Sequence, residues 1–154
     1  MPAVLFVCLG NICRSPIAEG IFRKLTAEAE ADIQIDSAGT GHWHIGEPSD
    51  PRARRVGESN GCPMNHRARQ LTSADFTRFD YVLVMDSANM RDVLAWPGAR
   101  KEKVSYLLQW DEDNDDLEVP DPYYGESGDF DVVFDLCFSA CAKLLEAIQN
   151  SHLD

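Results

Sequence analysis

The chain has 154 residues and a mass of 17.2 kDa, which is long enough for one domain to bury a core without disulfides or structural metal. Its composition, 44% hydrophobic and 26% charged residues, argues against a disordered or membrane-embedded protein. The net charge of -12 argues against general binding to DNA, RNA or anionic lipid, which depends on clustered lysine and arginine. We therefore expect one domain over residues 1–154 with no nucleic-acid or membrane partner. We also expect a monomer.

The cellular compartment is predicted from the start of the chain and from its cysteines. No basic segment precedes the apolar run from Ala3 to Gly10, so we expect neither a signal peptide nor a membrane span. The five cysteines are an odd number, which is typical of reduced thiols rather than a disulfide framework. We therefore expect a cytoplasmic protein.

The first half of the chain predicts a strand, a tight loop and a helix, followed by a second strand. Ala3 to Val7 is a short apolar run that ends at a turn around Gly10, as in a buried strand. Apolar residues at helical spacing predict a helix from Ser15 to about Ala29, and Ile33 to Ser37 predicts the next strand. A glycine-rich loop then leads to the remaining predicted elements: a helix from Pro51 to Asn60, a strand over Phe79 to Met85, a helix over Ala88 to Ala95, a strand over Lys103 to Leu107, an acidic surface loop over Gln109 to Gly128, and a last helix from Asp129.

This alternation of strands and helices predicts an α/β three-layer sandwich with helices on both faces of a parallel sheet. We expect four strands in the order 2-1-3-4. In such sheets the ligand site lies at the carboxyl ends of the strands. The loops after Val7, Ser37 and Met85 should therefore meet there.

The strongest motif follows the first strand, where Cys8 is separated by five residues from Arg14, with Ser15 next. A strand that turns tightly into a helix directs backbone N–H groups and the positive end of the helix at one point, which favours an anion. Gly10 permits the turn, and the Arg14 guanidinium can fork onto two phosphate oxygens. The sequence therefore predicts a phosphate-binding loop.

The same positive field favours a thiolate at Cys8, and a thiolate among phosphate-binding donors is placed for in-line attack on phosphorus. The Ser15 hydroxyl is close enough in sequence to donate to that sulfur. An isolated cysteine at a strand end is usually a small buried hydrophobe, but the surrounding constellation argues against that interpretation here.

The motifs of a nucleotide P-loop and of a zinc site are not found in this sequence. No Gly-Lys-Ser or Gly-Lys-Thr follows Gly10, so the loop is not a nucleotide P-loop. Cys8 and Cys13 lack a second ligand pair at zinc-site spacing, and His42 and His44 in a glycine-rich loop are typical of surface histidines. We therefore expect no metal and no cofactor.

Asp121 is the candidate acid that protonates the leaving oxygen. It lies between Pro120 and Pro122, which restrain the backbone, and Tyr123 and Tyr124 follow. A carboxyl group on such a loop can act as a general acid and then as a general base. An ordinary turn aspartate in an acidic segment is the alternative, and only the presence of Cys8 disfavours it.

These residues resemble the low-molecular-weight protein tyrosine phosphatases over almost the whole chain. The resemblance implies Cys8 as nucleophile, Arg14 as phosphate clamp and Asp121 as general acid. It also implies a supporting network behind the loop, formed by Asn11, Ser15, Ser37 and His66. The implied substrate-binding residues are Leu9, Gly10, Asn11, Ile12, Cys13 and Ser15 in the loop, and Trp43, Tyr123 and Tyr124 in the wall.

The implied reaction is hydrolysis of phosphotyrosine proteins or small aryl phosphates through a phosphocysteine. An aromatic slot favours a flat phenyl ring over a short serine side chain, although Trp43 is also explained as an incidental loop aromatic. The resemblance further implies that Cys13 pairs with Cys8 under oxidation and so switches activity off reversibly.

Two other functions stay open. Arsenate reductases of the same fold need a second reactive cysteine pair near the helix after the third strand, and Met85 to Asp92 contains no cysteine. A phosphopeptide-binding module without catalysis predicts the loss of a catalytic residue, whereas Cys8, Arg14 and Asp121 are all present.

Overall fold

A computed structural model describes residues 1–151. It contains one four-stranded parallel sheet in the order β2-β1-β3-β4, which confirms the predicted sheet. The strands are β1 (Ala3–Cys8), β2 (Gln34–Gly39), β3 (Tyr81–Val84) and β4 (Val104–Tyr106). The helices are α1 (Arg14–Glu28), α2 (Pro51–Ser59), α3 (Asp75–Arg78), α4 (Ser87–Leu94) and α5 (Ser127–Ser151).

Helices cover both faces of the sheet, as predicted. On one face Phe6 packs with α1, α2 and α5, and its ring meets Phe22 edge to face at 5.6 Å between centroids. On the other face Leu5 and Val7 pack with Phe76 of α3 and Val93 of α4. Because β1 is buried on both faces, its sequence is a continuous apolar run rather than an alternating one.

The carboxyl ends of the central strands meet at one edge of the sheet. Cys8 at the end of β1 pairs in register with Gly39 at the end of β2, and Val7 pairs with Val84 at the end of β3. The segments that follow these three strands are therefore brought together, as the sequence predicted.

Several element boundaries differ from the predicted ones. β3 is shorter than the predicted Phe79 to Met85, since the Phe79 N–H donates to the carbonyl of Asp75, the first residue of the unpredicted α3. β4 is three residues long and lies between short 3-10 helices over Lys101–Lys103 and Leu107–Trp110. Within residues 1–151, none of the helices has the length and apolar character needed to cross a bilayer.

Candidate active site

The segment from Cys8 to Ser15, called the phosphate loop below, connects the end of β1 to the start of α1. Its backbone turns at Asn11, whose φ of 57° lies in the left-handed region. Asparagine enters this region more readily than most residues. Asn11 is also only 1% exposed, so this residue both shapes the turn and fixes it from below.

The Asn11 amide forms four hydrogen bonds behind the loop. Its Nδ2 donates to the hydroxyls of Ser15 at 2.8 Å and Ser37 at 3.0 Å. Its Oδ1 accepts from the Arg69 backbone N–H at 3.0 Å and lies 2.8 Å from His66 Nε2. A backbone N–H can only donate, so the amide orientation is determined, and His66 Nε2 must carry a proton.

This arrangement determines how Ser15 faces the cysteine. Because the Ser15 oxygen already accepts from Asn11, its own hydrogen is free to be donated elsewhere. The Cys8 Sγ lies 3.0 Å from that oxygen. The Ser15 hydroxyl is therefore placed to donate a hydrogen bond to the Cys8 sulfur.

The network extends to a cluster of ionisable residues, Glu19, Asp36 and His66, whose ligand-type atoms lie within 4.8 Å of one another. The Ser37 hydroxyl donates to Glu19, and His66 Nδ1 lies 3.3 Å from Glu19 and 3.5 Å from Asp36. Arg23 and Arg69 also bind the two carboxylates, at 2.9 and 3.1 Å. Because arginines already balance this charge, the cluster serves to support Asn11 and Ser37.

Arg14 is 2% exposed and is held in one orientation. Its Nη1 donates to Asp86 at 2.6 Å and to the Val119 carbonyl at 3.0 Å, while its Nη2 lies 3.6 Å from Asp121. Burial of the guanidinium opposes its charge, but Cys8, Asp86 and Asp121 together raise the pKa of Arg14. The guanidinium is therefore a fixed positive charge beside Cys8.

Asp86 is a site residue that the sequence reasoning missed. It follows β3 at the carboxyl edge of the sheet and caps α4, where it forms a capping box with Asn89. Its place after a predicted strand was the signal available in the sequence, but nothing local to Asp86 indicated a contact with Arg14, 72 residues away.

A cavity of about 340 Å³ opens above the phosphate loop, which is within the usual range for a small-molecule site. Most of the predicted substrate-binding residues line it, together with the three predicted catalytic residues and the unpredicted His44. The lining residues are Cys8, Leu9, Gly10, Ile12, Cys13, Arg14, Trp43, His44, Asp121, Tyr123 and Tyr124. Asn11 and Ser15 instead place their side chains in the network below the loop.

Aromatic rings form the walls of the cavity. Tyr123 and Tyr124 meet edge to face with centroids 4.9 Å apart, and His44 lies 6.1 Å from Tyr123. Trp43 lies over Gly41, where an added Cβ would be only 2.1 Å from its ring. A residue larger than glycine at position 41 would displace the exposed Trp43 ring from its place in the wall.

The acid loop, defined as residues 120–125, closes one side of the cavity. The Tyr123 backbone N–H donates to the Asp121 carboxylate at 3.1 Å, and the second Asp121 oxygen faces Arg14. The Asp121 side chain is 42% exposed. The structure thus brings a thiol, a guanidinium and a carboxyl group into one cavity.

Comparison with known proteins agrees with this geometry. The family model for low molecular weight phosphotyrosine protein phosphatase matches residues 3–153. The chain belongs to this family. A phosphatase of that description from Gallus gallus is 44% identical, with 94% of each chain covered. The Bacillus subtilis protein-tyrosine-phosphatase YfkJ is 42% identical, with 97% of each chain covered. The crystal structure of a protein tyrosine phosphatase from Entamoeba histolytica superposes with a TM-score of 0.94 at 37% identity, covering 99% of each chain.

The cysteines of this phosphatase differ in their surroundings. All five lie in the described part of the chain and are free and buried. Burial and the negative charge of Asp50 raise the pKa of the Cys13 thiol. Burial is the main cause that raises the pKa of Cys137 to about 12 and raises the pKa of Cys141. Cys137 and Cys141 are core residues of α5, as the sequence predicted.

Proposed function

We propose that this tyrosine phosphatase hydrolyses phosphotyrosine and other aryl phosphate monoesters in two steps, with Cys8 as nucleophile and Asp121 as general acid and base. The observation that carries the proposal is the shared cavity, in which the Cys8 sulfur, the Arg14 guanidinium and the Asp121 carboxyl converge. The cavity edge coincides with the carboxyl ends of the strands, where ligands of parallel sheets bind.

In the first step the Cys8 thiolate attacks phosphorus, the S–P bond forms and the bond to the aryl oxygen breaks. Protonated Asp121 gives its proton to the leaving oxygen, so a neutral phenol departs. Arg14 and the backbone N–H groups of the phosphate loop stabilise the charge on the three remaining oxygens. Because Asp86 and the Val119 carbonyl already hold Arg14 in place, little reorganisation is needed as that charge develops.

In the second step the Asp121 carboxylate removes a proton from water, and the water oxygen attacks the phosphocysteine. The S–P bond breaks and inorganic phosphate forms, with the sulfur leaving as a thiolate. Ser15 assists this departure, since its hydroxyl lies 3.0 Å from the sulfur and is free to donate. Asp121 regains the proton that it lost in the first step, and the cycle closes without a metal or cofactor.

The substrate ring is proposed to lie between the aromatic walls of Trp43, Tyr123 and Tyr124. Aromatic pairs of this kind contribute about 0.5–1.5 kcal/mol beyond the burial of their area. A phosphoserine side chain is too short to reach both walls while its phosphate occupies the loop. The preference for phosphotyrosine over phosphoserine therefore depends on these rings.

We also propose that the enzyme works as a monomer in the cytoplasm, on phosphotyrosine proteins or small aryl phosphates. The five free thiols support a reducing compartment. The thiol, the guanidinium and the carboxyl group that the reaction uses all come from the same chain, which supports a monomer. Light scattering would test the monomer, and cell fractionation would test the location.

The experiment that tests the mechanism compares wild type with Cys8→Ser, using p-nitrophenyl phosphate and mass spectrometry after acid quenching. We expect one added phosphate on the wild-type peptide that contains Cys8. In Cys8→Ser we expect turnover to fall by at least about 10⁴-fold, with inorganic phosphate still bound. Cys62→Ser serves as a control at a cysteine that does not line the cavity and whose charged neighbours are Lys24 and Glu28.

The alternatives predict different results. A binding module would bind phosphate without turnover in the wild type. An arsenate reductase would turn over arsenate with a thiol reductant far faster than it hydrolyses p-nitrophenyl phosphate. Either result, or a phosphorylated residue other than Cys8, would refute the proposed route.

A further inference from the structure

Arg52, in the first turn of α2, reaches across the surface to the acid loop. Its Nη2 donates to the Tyr123 carbonyl at 2.9 Å, and its Nη1 donates to the Gly125 carbonyl at 3.2 Å. These carbonyls lie on the C-terminal side of Asp121. The Tyr123 backbone also donates to the Asp121 carboxylate, so the residue that Arg52 holds in turn positions the acid.

The guanidinium is packed as well as hydrogen bonded. Its central carbon lies 4.6 Å from the ring centroid of Phe130 on α5 and 5.9 Å from that of Tyr123. The Arg52 side chain is 30% exposed. A planar cation placed between two aromatic rings is restricted in orientation.

Asp50 anchors Arg52 to the other side of the active site. Its carboxylate accepts from Arg52 Nε at 3.1 Å, from Nη2 at 3.0 Å and from the Arg52 backbone at 2.8 Å. Burial opposes the charge of Asp50, but these hydrogen bonds outweigh it and lower the pKa of the carboxyl group. The Asp50 backbone N–H donates to the carbonyl of Ile12 in the phosphate loop at 2.9 Å.

These contacts connect the two loops in series, from Ile12 through Asp50 and Arg52 to Tyr123 and Asp121. We propose that Arg52, oriented by Asp50, is a positioning residue that holds the acid loop in register with the phosphate loop. The inference rests on the proposed role of Asp121 as general acid. Arg52 does not line the cavity, so it acts on the reaction through Asp121 rather than by touching the substrate.

The test measures kcat/KM for aryl phosphates whose leaving phenols have increasing pKa, since poor leaving groups need the acid most. For Arg52→Ala we expect a loss of roughly tenfold with phenyl phosphate and of less than about threefold with p-nitrophenyl phosphate. Arg52→Lys keeps the charge but not the planar fork, and it should recover part of the loss. The exposed Arg55, on the same helix, supplies the control Arg55→Ala.

A purely structural role for Arg52 would lower kcat/KM equally for every substrate and would weaken competitive inhibition by inorganic phosphate. The proposal instead requires the phosphate inhibition constant to stay within about twofold of wild type, because the phosphate loop is intact. Should Arg52→Ala prove poorly folded in thermal melts, the same series with Arg52→Lys provides the test.

A second measurement separates this inference from the proposed function. In an Asp121→Ala background, removal of Arg52 should change kcat/KM by less than about twofold, since the group through which it acts is absent. Additive losses in the double variant, or a substrate-independent loss in Arg52→Ala, would overturn the role of Arg52 alone. If the loss of kcat/KM in Asp121→Ala, relative to wild type, were the same for every leaving phenol, the general-acid assignment would be refuted instead.

Discussion

The phosphate loop and the acid loop line the same cavity but are built in opposite ways. The phosphate loop is a run of consecutive residues whose key side chains are buried and bonded to one another, with Asn11 at its centre. The acid loop exposes 42% of the Asp121 side chain and 94% of Tyr124. It is held mainly through backbone groups, including the Tyr123 carbonyl bound by Arg52.

This difference matches the tasks of the two loops. Charge stabilisation of phosphate requires donors that are already oriented before the substrate arrives, and a buried, fully bonded network provides them. Proton transfer requires a carboxyl group that meets the leaving oxygen first and water later, and an exposed segment with few contacts can adjust between the two. Substitutions in the phosphate loop should therefore have larger effects than substitutions at the rim of the acid loop.

The largest effect is expected at Arg14. Arg14→Lys keeps a positive charge but cannot fork onto two phosphate oxygens, so kcat/KM should fall by about 10³-fold. The loss should be equal for good and poor leaving groups, because the phosphate loop acts on phosphate and not on the departing oxygen. The aryl phosphate series measures this. A loss that grows with the pKa of the leaving phenol would show that Arg14 acts through Asp121.

The variant Asn11→Ala tests whether the hydrogen-bond network beneath the phosphate loop supports both the stability of the fold and the rate of hydrolysis. Asn11→Ala removes four buried hydrogen bonds and places alanine at a positive φ, at a cost of about 2–4 kcal/mol. We expect a lower melting temperature and a fall in kcat/KM of roughly 10- to 100-fold.

The matched variant Asn11→Gly separates the two causes, because glycine accepts the positive φ without strain. It should recover part of the melting temperature but little of the activity. Full recovery of activity in Asn11→Gly would mean that only the backbone conformation, and not the amide, supports the loop.

A variant at Cys13 tests the reversible protection of Cys8 that the family resemblance implies. Burial raises the pKa of the Cys13 thiol, so we expect iodoacetamide at neutral pH to alkylate Cys8 well before Cys13. After peroxide treatment, wild type should regain activity with dithiothreitol, whereas Cys13→Ala should lose it irreversibly. Peptide mass spectrometry would identify the disulfide, and equal recovery in both proteins would exclude Cys13 as the partner.

The smallest effect is expected at the rim of the acid loop. Tyr124 is almost fully exposed, so Tyr124→Ala should leave the melting temperature unchanged. KM for phosphotyrosine should rise by about two- to fivefold with little change in kcat, since a wall contact binds substrate and transition state alike. A clear fall in melting temperature would contradict the description of the acid loop as an exposed segment with few contacts.

The number and the parallel direction of the strands followed from the sequence because alternating apolar runs and helical periodicities are local patterns. The boundaries near α3 and β4 did not, since the Phe79 N–H bonds to the Asp75 carbonyl in α3 and β3 pairs with β1 only from Tyr81 to Val84. In the site, the residues predicted as nucleophile, clamp and acid line one cavity, and the predicted supporting residues lie bonded together beneath it. The prediction left out Asp86 and Arg52, and it treated His44 as a surface residue although His44 lines the cavity.

The sequence by itself determined the phosphate loop, because a strand, a tight turn and a helix start place neighbouring residues around one anion through local geometry alone. Only the tertiary structure decided which groups hold Arg14 and the acid loop. Arg14 meets the Val119 carbonyl across 105 residues and Arg52 meets Gly125 across 73. Contacts over such distances depend on how the sheet and helices pack, and no local pattern of residue types specifies them.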